Sequence, residues 1–311
     1  MRLLLLGCTG LVGRELVPML RQAGHQLTLV SRQQRQEPAA EWLQLDPADP
    51  RSWQDQSLLQ ALSQAEGVVN LAGEPIAEKR WTPAHQRILE TSRLETTRLL
   101  VEAIQASPTP PQVLVNASAI GYYGTSVSQR FVESSPAGDD FLASLCRRWE
   151  QAALAVPDGT RAVTVRIGIV VAPDGGALGK MLPVFRAGFG GPIGSGRQWM
   201  SWIHRSDLCA LILRALEDPN WTGAVNGVAP QPVSMTEFCR ELGRSLGRPS
   251  LLPVPAPVLQ VLLGDGASVV LEGQQVGSER LETLGFSFRY PDLPSALAAA
   301  AGCRSHGSAP P

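Results

Sequence analysis

Three glycines near the start of the chain have a spacing that could bind phosphate. Gly7, Gly10 and Gly13 stand in the run GCTGLVG, between an apolar run at Leu3–Leu6 and a helical pattern at Leu11–Ala23. Glycine allows a sharp turn and a close approach of backbone N–H groups to a pyrophosphate, which then lies at the positive end of a helix. The pattern predicts a dinucleotide-binding turn; a tight turn without a ligand is the alternative.

The residues that follow the second predicted strand select the cofactor. An acidic side chain there would bind the ribose 2′-hydroxyl of NAD. This chain has Ser31 and Arg32 instead, with Arg35 nearby and no acidic residue before Glu37. Because a guanidinium can meet a 2′-phosphate in a charge-assisted contact, we predict NADP(H) rather than NAD(H). The alternative is a solvated loop arginine.

A third run, Asn70-Leu71-Ala72-Gly73, follows another short apolar strand. The carboxyl ends of parallel strands line the ligand crevice of such sheets. The small residues Ala72 and Gly73 would let the backbone approach a ribose or an adenine. A structural turn is the alternative interpretation.

These turns need a sheet to position them, and β and α patterns alternate over the first 170 residues. This alternation predicts an α/β fold, a doubly wound parallel sheet with helices on both faces. Strands are predicted at Leu3–Leu6, Gln26–Val30, Glu41–Leu45, Gly67–Asn70, Gln112–Asn116, Arg161–Val171 and Ala224–Asn226. Helices are predicted at Leu11–Ala23, Pro83–Ala106, Phe141–Ala155, Asp207–Glu217, Thr236–Leu246 and Pro294–Ala301.

The amino-acid composition changes after residue 172, where glycine and proline become frequent. We predict a dinucleotide-binding domain over 1–228, with residues 172–200 crossing to a second lobe. Residues 229–302 would form that small, mostly helical lobe over the crevice. Residues 303–311 are predicted to be a frayed tail.

Composition excludes several classes of protein. The chain has 311 residues, 44% hydrophobic and 18% charged, with a net charge of −1, which argues against disorder and against nucleic-acid or membrane-surface binding. No apolar run has the roughly 20 residues of a transmembrane helix. No metal-ligand motif is present, and we expect no metal. The scattered cysteines indicate reduced thiols and a cytoplasmic protein; they are Cys8, Cys146, Cys209, Cys239 and Cys303.

Longer motifs resemble a known family. The runs NLAGEPI, RWTPAHQRILETSRLETTRLL, NASAIGYYG, GDDFLASLCRRWEQAA and GGPIGSGRQWMSWIHRSDL are similar to the extended short-chain dehydrogenase/reductases, in the "epimerase family" branch. Members of this branch have been described as cell-division factors in cyanobacteria and plastids. The resemblance implies a Rossmann-type fold and NADP(H). The cofactor-binding residues implied are Gly7, Thr9, Gly10, Leu11, Val12, Gly13, Ser31, Arg32, Leu71, Ala72, Gly73, Ile88, Arg93 and Val170.

The resemblance also raises a question about catalysis. Ordinary members use a Tyr-x-x-x-Lys pair, in which the lysine lowers the pKa of the tyrosine. Alignment on Trp149 puts Leu142 at the tyrosine position and Cys146 at the lysine position. The usual pair is therefore expected to be absent.

Three hydroxyl groups in NASAIGYYG remain as candidates. Ser118 could bind a substrate oxygen, and Tyr122 or Tyr123 could donate a proton. The alternative is that Ser118 satisfies backbone groups and Tyr123 packs beneath the nicotinamide pocket.

Further candidates lie in the second half of the chain. Arg197, in a glycine-rich loop, is predicted to hold an anionic substrate, unless it pairs with an acid. Lys180 lies in a run that only partly resembles a phosphate loop. His204 and Asp207 look structural, and Asp207 is expected to cap the following helix.

From these motifs and the resemblance we predict an NADP(H)-binding oxidoreductase or epimerase that acts on a small, anionic, nucleotide-sugar-like substrate. The alternative is a non-catalytic NADPH-binding regulator, for example a cell-division factor with a partner in the division machinery. A homodimer is compatible with either, and neither involves nucleic acid or a membrane span.

Overall fold

Seven parallel strands form the central sheet of the computed structural model, which describes residues 1–33 and 40–302. The strands of the described residues are β1 (Arg2–Leu6), β2 (Gln26–Ser31), β3 (Glu41–Gln44), β4 (Gly67–Asn70), β5 (Val113–Ala119), β6 (Arg130–Phe131), β7 (Arg161–Ile167), β8 (Ile169–Val171), β9 (Trp199–Met200), β10 (Trp202–His204), β11 (Gly223–Gly227), β12 (Val233–Ser234) and β13 (Gln275–Val276). The helices are α1 (Gly13–Gln22), α2 (Gln56–Gln64), α3 (Pro83–Ala106), α4 (Phe141–Leu154), α5 (Gly176–Arg186), α6 (Arg205–Glu217), α7 (Met235–Leu246), α8 (Ala256–Leu263), α9 (Ser268–Leu271), α10 (Glu279–Thr283) and α11 (Leu293–Ala301).

The strand order of the sheet is β3-β2-β1-β4-β5-β7-β11. The chain runs outward from β1 to β3 and then returns to place β4 on the other side of β1. The strand order therefore reverses between β1 and β4, and ligands of doubly wound sheets bind at the carboxyl ends of the strands at such a point. The predicted fold class is confirmed.

Alternate residues of β1 bury themselves on opposite faces of the sheet. Leu3 and Leu5 pack with apolar residues of α1 and α6, whereas Leu4 and Leu6 pack with those of α2 and α3. All four leucines are at most 2% exposed. A strand buried on both faces reads as a continuous apolar run, which is why this segment carries no alternating pattern.

A second core lies under the lobe. It joins apolar residues of α5, α7 and α11, with the fully buried Trp202 and Phe238 among its largest side chains. The two-stranded pairs β8–β10 and β9–β12 lead the chain from the sheet into this lobe. No helix of the described residues is long and apolar enough to cross a bilayer.

Several predicted elements need correction. The single strand predicted over Arg161–Val171 is two strands, β7 and β8, with Gly168 between them. A side chain does not fit at this position, since an added Cβ would lie 2.6 Å from the carbonyl oxygen of Ser201. Beyond this point the chain leaves the main sheet and pairs with β10. The helices α2 and α5 were not predicted, and in α5 the glycines concealed the helical pattern.

Candidate functional site

The glycine turn after β1 packs directly against neighbouring backbone. A Cβ at Gly7, whose φ is +78°, would lie 2.5 Å from the carbonyl carbon of Leu71, and one at Gly13 would lie 2.3 Å from the carbonyl oxygen of Cys8. Gly10 differs, because its nearest neighbour would be the Gly7 carbonyl oxygen at 3.4 Å. Gly7 and Gly13 are therefore required by packing, whereas Gly10 leaves an open surface.

Helix α1 begins beneath that open surface with unused hydrogen-bond donors. Its N-cap residue Val12 provides no side-chain cap, and the amide groups of Leu11 and Val12 donate to no group in the described part of the chain. Thr9 is partly exposed beside them. Free amides at a helix N-terminus bind anions well, so the turn fits the pyrophosphate of a dinucleotide.

A buried amide network shapes the turn after β4. The side chain of Asn70 accepts a hydrogen bond from the amide of Ala72 (3.2 Å) and donates to Thr97 Oγ1 (3.0 Å) and to Asn116 Oδ1 (2.7 Å). Asn70 and Asn116 are fully buried. The network holds residues 71–73 beside Gly7, where the carboxyl ends of β1 and β4 meet. Sequence analysis assigned no role to Asn116 or Thr97.

The end of β2 carries the predicted selector of the 2′-phosphate. Ser31 is buried, and its hydroxyl accepts a hydrogen bond from the amide of Gln33 (3.3 Å). Arg32 is exposed, and its guanidinium forms no ion pair with any described residue. An unpaired cation at this position fits a phosphate on the adenosine ribose. Arg35 and Glu37 lie outside the described residues.

Arg93 projects from α3 towards the end of β4. Its guanidinium donates to the carbonyl oxygens of Leu89 (3.2 Å) and Glu74 (2.9 Å), lies 5.3 Å from the ring centroid of Trp149, and lies beside Gly73. Burial lowers the pKa of this guanidinium. The arginine is therefore held under the crevice rather than extended into solvent as a surface partner.

Two further residues of the predicted cofactor set lie apart from the glycine turn. Ile88 is 49% exposed on α3, one turn before Arg93. Val170 is partly buried in the middle of β8, and its carbonyl oxygen lies near Gly176. The contribution of both residues to cofactor binding stays a prediction.

Helix α4 presents Leu142 and Cys146 to the end of β5. The Cβ of Leu142 lies 3.3 Å from the Cβ position of Gly121, and the Cys146 thiol lies beside the Ser118 hydroxyl and the backbone of Ala119. Burial raises the pKa of Cys146 to about 12. A neutral thiol at this position supplies no fixed positive charge.

The hydroxyl of Ser118 is engaged by a buried carboxylate. It donates to Glu150 Oε1 at 2.6 Å, and the same carboxylate receives two hydrogen bonds of 2.8 Å from Arg166. Ser118, Glu150 and Arg166 are all at most 5% exposed. The Ser118 hydroxyl is therefore bound by a side-chain carboxylate rather than by backbone groups, and its catalytic role stays a prediction.

The two adjacent tyrosines have different surroundings. Tyr123 is buried; its hydroxyl accepts from Arg166 Nη1 (2.8 Å) and donates to Asn226 Oδ1 (2.7 Å), and burial raises its pKa to about 12. Tyr122 is partly buried, and the Cζ atom of Arg166 lies 3.5 Å from the centroid of its ring. The Tyr122 hydroxyl donates no hydrogen bond within the described residues. Of the three candidate hydroxyls, that of Tyr122 is the one left available for a substrate.

The residues that hold the Glu150–Arg166–Tyr123 network and the amide network after β4 were not assigned these roles from the sequence, although a signal was present. Each of four sheet strands has a polar residue in its carboxyl-terminal half, buried where an apolar one is the norm; these are Asn70, Asn116, Arg166 and Asn226. Buried polar groups require partners, so their recurrence at one edge predicts that they meet. Asn226 also donates to the Gly277 carbonyl oxygen (2.7 Å) and thereby joins the lobe to the sheet.

The remaining candidates have distinct environments. Arg197 is exposed and forms no ion pair with a described residue, which leaves its guanidinium available. Lys180 donates to the carbonyl oxygen of Ala77 (2.7 Å). The prediction that Asp207 caps α6 is wrong: His204 is the cap, accepting from the Ser206 amide, because the carboxylate of Asp207 instead accepts hydrogen bonds from the backbone amides of residues 289 and 290.

Two family models match the chain. That of the NAD dependent epimerase/dehydratase family covers residues 3–226, and a domain of unknown function, DUF1731, covers residues 254–300. The chain is 44% identical over 299 residues to the epimerase family protein SDR39U1 homolog, chloroplastic, of Arabidopsis thaliana, over 94% of this chain and 84% of that protein.

Solved structures agree with this relationship. The crystal structure of human epimerase family protein SDR39U1 with NADPH is 40% identical, with a TM-score of 0.88 over 97% of this chain and 99% of that one. The nucleoside-diphosphate sugar epimerase from Corynebacterium glutamicum is 30% identical, with a TM-score of 0.78 over 97% of this chain and 58% of that one. From the open glycine turn, the strand order and these matches, we conclude that the chain belongs to the NAD dependent epimerase/dehydratase family.

Proposed function

We propose that this chain is an NADP(H)-dependent oxidoreductase or epimerase acting on a small anionic substrate of the nucleotide-sugar type. The observation that carries the proposal is the glycine turn with its exposed Gly10, where the amides of Leu11 and Val12 donate to no group of the described residues. Arg32, at the end of β2, adds a cation that forms no ion pair with a described residue. Support for the cofactor comes from the human relative, which was solved with NADPH. The name of the Corynebacterium relative supports the substrate class.

The residues of the chain would bind and orient while the cofactor supplies a hydride to, or accepts one from, a substrate carbon. Amides at the start of α1 hold the pyrophosphate, and Arg32 neutralises the 2′-phosphate. The turn at residues 71–73 would accommodate the adenosine half, because the small residues Ala72 and Gly73 leave its backbone accessible.

Tyr122 is the residue we propose as the proton donor or acceptor. The hydroxyls of Ser118 and Tyr123 are engaged by Glu150, Arg166 and Asn226, whereas that of Tyr122 is not. The Arg166 guanidinium stacks on the Tyr122 ring, with its Cζ atom 3.5 Å from the ring centroid, and fixes the orientation of the phenol. Arg197, which is exposed and forms no ion pair with a described residue, is proposed to bind the anionic end of the substrate.

A second function is favoured by a specific observation. On the alignment predicted from the sequence, Leu142 and Cys146 stand at the positions of the catalytic pair, and Cys146 is a buried thiol whose pKa is raised by burial. A chain that holds NADPH without turning it over could act as a regulator that reports the cofactor to a partner protein. The name of the Arabidopsis relative contains no activity that would decide between the two.

The test is turnover of a panel of nucleoside diphosphate sugars and simple carbonyl compounds. Product is measured by chromatography, since an epimerisation leaves the total NADPH unchanged. We expect at least one compound to react, Tyr122→Phe to lower kcat by a factor of about 100, and Tyr123→Phe to lower it much less. Binding of NADPH with no turnover of any compound would favour the regulator.

A further inference from the structure

The segment that follows β4 crosses from the sheet to the lobe. Residues 74–81, named the strap, begin beside the turn that packs on Gly7 and end at the start of α3. At its far end Arg80 donates to the carbonyl oxygen of Val261 (2.8 Å), and the Trp81 amide donates to that of Leu263 (3.0 Å). The strap therefore joins the carboxyl end of β4 to the lobe near α8.

The strap is braced internally. Lys79 forms an ion pair with Glu74 (3.0 Å), and the Trp81 indole donates to the Ile76 carbonyl oxygen (2.8 Å). Pro75 restricts the backbone near the first residue. Its first residue is held by α3, since the Glu74 amide donates to Ser92 Oγ (3.0 Å) and the Glu74 carbonyl oxygen accepts from Arg93 (2.9 Å). The middle of the strap, residues 75–79, is therefore the part that can move between two fixed ends.

Helix α5 reaches the strap from the opposite side of the crevice. Its first residues lie on the glycine turn, since a Cβ at Gly175 would be 2.8 Å from a methyl group of Leu11. One turn further on, the exposed Lys180 donates to the Ala77 carbonyl oxygen of the strap at 2.7 Å. Lys180 thus connects α5, which packs on the glycine turn, to the middle of the strap.

We propose that the strap closes over the dinucleotide groove and that the Lys180–Ala77 hydrogen bond controls the rate at which NADP(H) enters and leaves. This inference rests on the proposed cofactor. Lys180 acts on the strap and touches no part of the dinucleotide, so it is a positioning residue. Loosening the strap speeds both entry and release, whereas the equilibrium affinity changes little.

The first experiment measures both rate constants for NADPH by stopped-flow fluorescence. In Lys180→Met, association and dissociation should each rise about fivefold, the factor that one ordinary hydrogen bond contributes. Lys180→Arg, which can still donate, should stay near the wild type. Arg186→Met is the matched control, because it removes an exposed cation from the same helix that makes no hydrogen bond or ion pair with a described residue.

Faster dissociation with unchanged or slower association, and a weaker salt dependence of association, would mean that Lys180 contacts a phosphate directly. That result would overturn the proposal. Rates identical to those of Arg186→Met would overturn it as well.

A second experiment separates this proposal from the cofactor itself. Hydrogen exchange of the Trp81 amide in the cofactor-free chain should be several times faster in Lys180→Met than in the wild type, since the strap is held at one point fewer. If the Trp81 amide exchanges faster in Lys180→Met but the wild type does not bind NADPH, the contact between Lys180 and the strap would be supported and the proposed cofactor would be refuted. Equal exchange in both proteins would refute the strap.

Discussion

Arg32 is an exposed cation that forms no ion pair within residues 1–33 and 40–302, at the position proposed to bind the adenosine ribose. Replacement by glutamate should raise the Kd for NADPH by a factor of about 10 to 100, because one charge-assisted contact is lost and a like charge is introduced. The Kd for NADH should rise little or fall. Fluorescence titration with both cofactors measures the ratio, and Arg21→Glu, at the far end of α1, is the control. An unchanged ratio would remove Arg32 from the cofactor site.

Tyr123 is a buried phenol whose proton state can be read directly, since the chain has three tyrosines. Burial raises its pKa from 10.0 to about 12. Absorbance at 295 nm after rapid pH jumps should show one tyrosine that ionises near pH 12, and this transition should vanish in Tyr123→Phe. Loss of an ordinary transition near pH 10 instead would contradict the burial of this phenol.

The same shift predicts how stability depends on pH. Between about pH 10 and 12 the unfolded chain releases the proton of Tyr123 while the folded chain keeps it. This residue therefore contributes a loss of stability as the pH rises through that window, and none below it. The decline in the free energy of unfolding should be smaller in Tyr123→Phe.

Two substitutions in the glycine turn before α1 are expected to separate an effect on stability from an effect on cofactor binding. Gly13→Ala places a Cβ 2.3 Å from the Cys8 carbonyl oxygen and should destabilise the protein by about 1–3 kcal/mol. Gly10→Ala places a Cβ 3.4 Å from the Gly7 carbonyl oxygen, an ordinary van der Waals distance, so the free energy of unfolding should change by less than about 0.5 kcal/mol. Its added methyl group should nevertheless raise the Kd for NADPH at least tenfold, by a rough estimate from close backbone approach to the pyrophosphate.

Urea denaturation and NADPH titration of the two variants provide the measurement. Each variant controls for the other, because both add one methyl group to the same turn. If Gly10→Ala bound NADPH as tightly as the wild type, the pyrophosphate would lie elsewhere. If Gly13→Ala were fully stable, the close packing of this turn would be wrong.

At the scale of the whole molecule, the Arg166–Glu150 pair links β7, α4 and the turn that carries Tyr123. Removing one partner leaves an uncompensated buried charge, and Arg166→Met should cost about 3–5 kcal/mol. The double variant Arg166→Met/Glu150→Leu should recover a large part of that loss. Arg98→Met, at an exposed ion pair on α3, should cost less than about 1 kcal/mol.

Urea denaturation of these variants measures the coupling. A loss below about 1 kcal/mol for Arg166→Met would mean that the pair contributes no more than a surface one. Equal losses for the single and double variants would mean that the Glu150 carboxylate left behind is satisfied by other groups, such as the Ser118 hydroxyl, which donates to Glu150 Oε1 at 2.6 Å.

Local sequence was sufficient for much of the fold and for the cofactor cradle. The apolar run of β1, the three glycines and the helical pattern after them depend on neighbours a few residues away, so turn chemistry and periodicity identify them. The alternation of strands and helices likewise determines a parallel sheet, because a crossover helix leaves few other arrangements.

Only the tertiary structure decided which polar side chains are already hydrogen-bonded to other residues of the protein. Residues 113–118 of β5 are buried on both faces, so no alternating pattern tells where the Ser118 hydroxyl points. Its partner Glu150 lies 32 residues away on α4, and the Asn226 that binds Tyr123 lies 103 residues away on β11. Such pairs form because distant strand ends meet at one edge of the sheet, and the same closure brings Lys180 to Ala77 across 103 residues. The sequence pattern alone does not show which residues that are far apart in the chain lie close together in space.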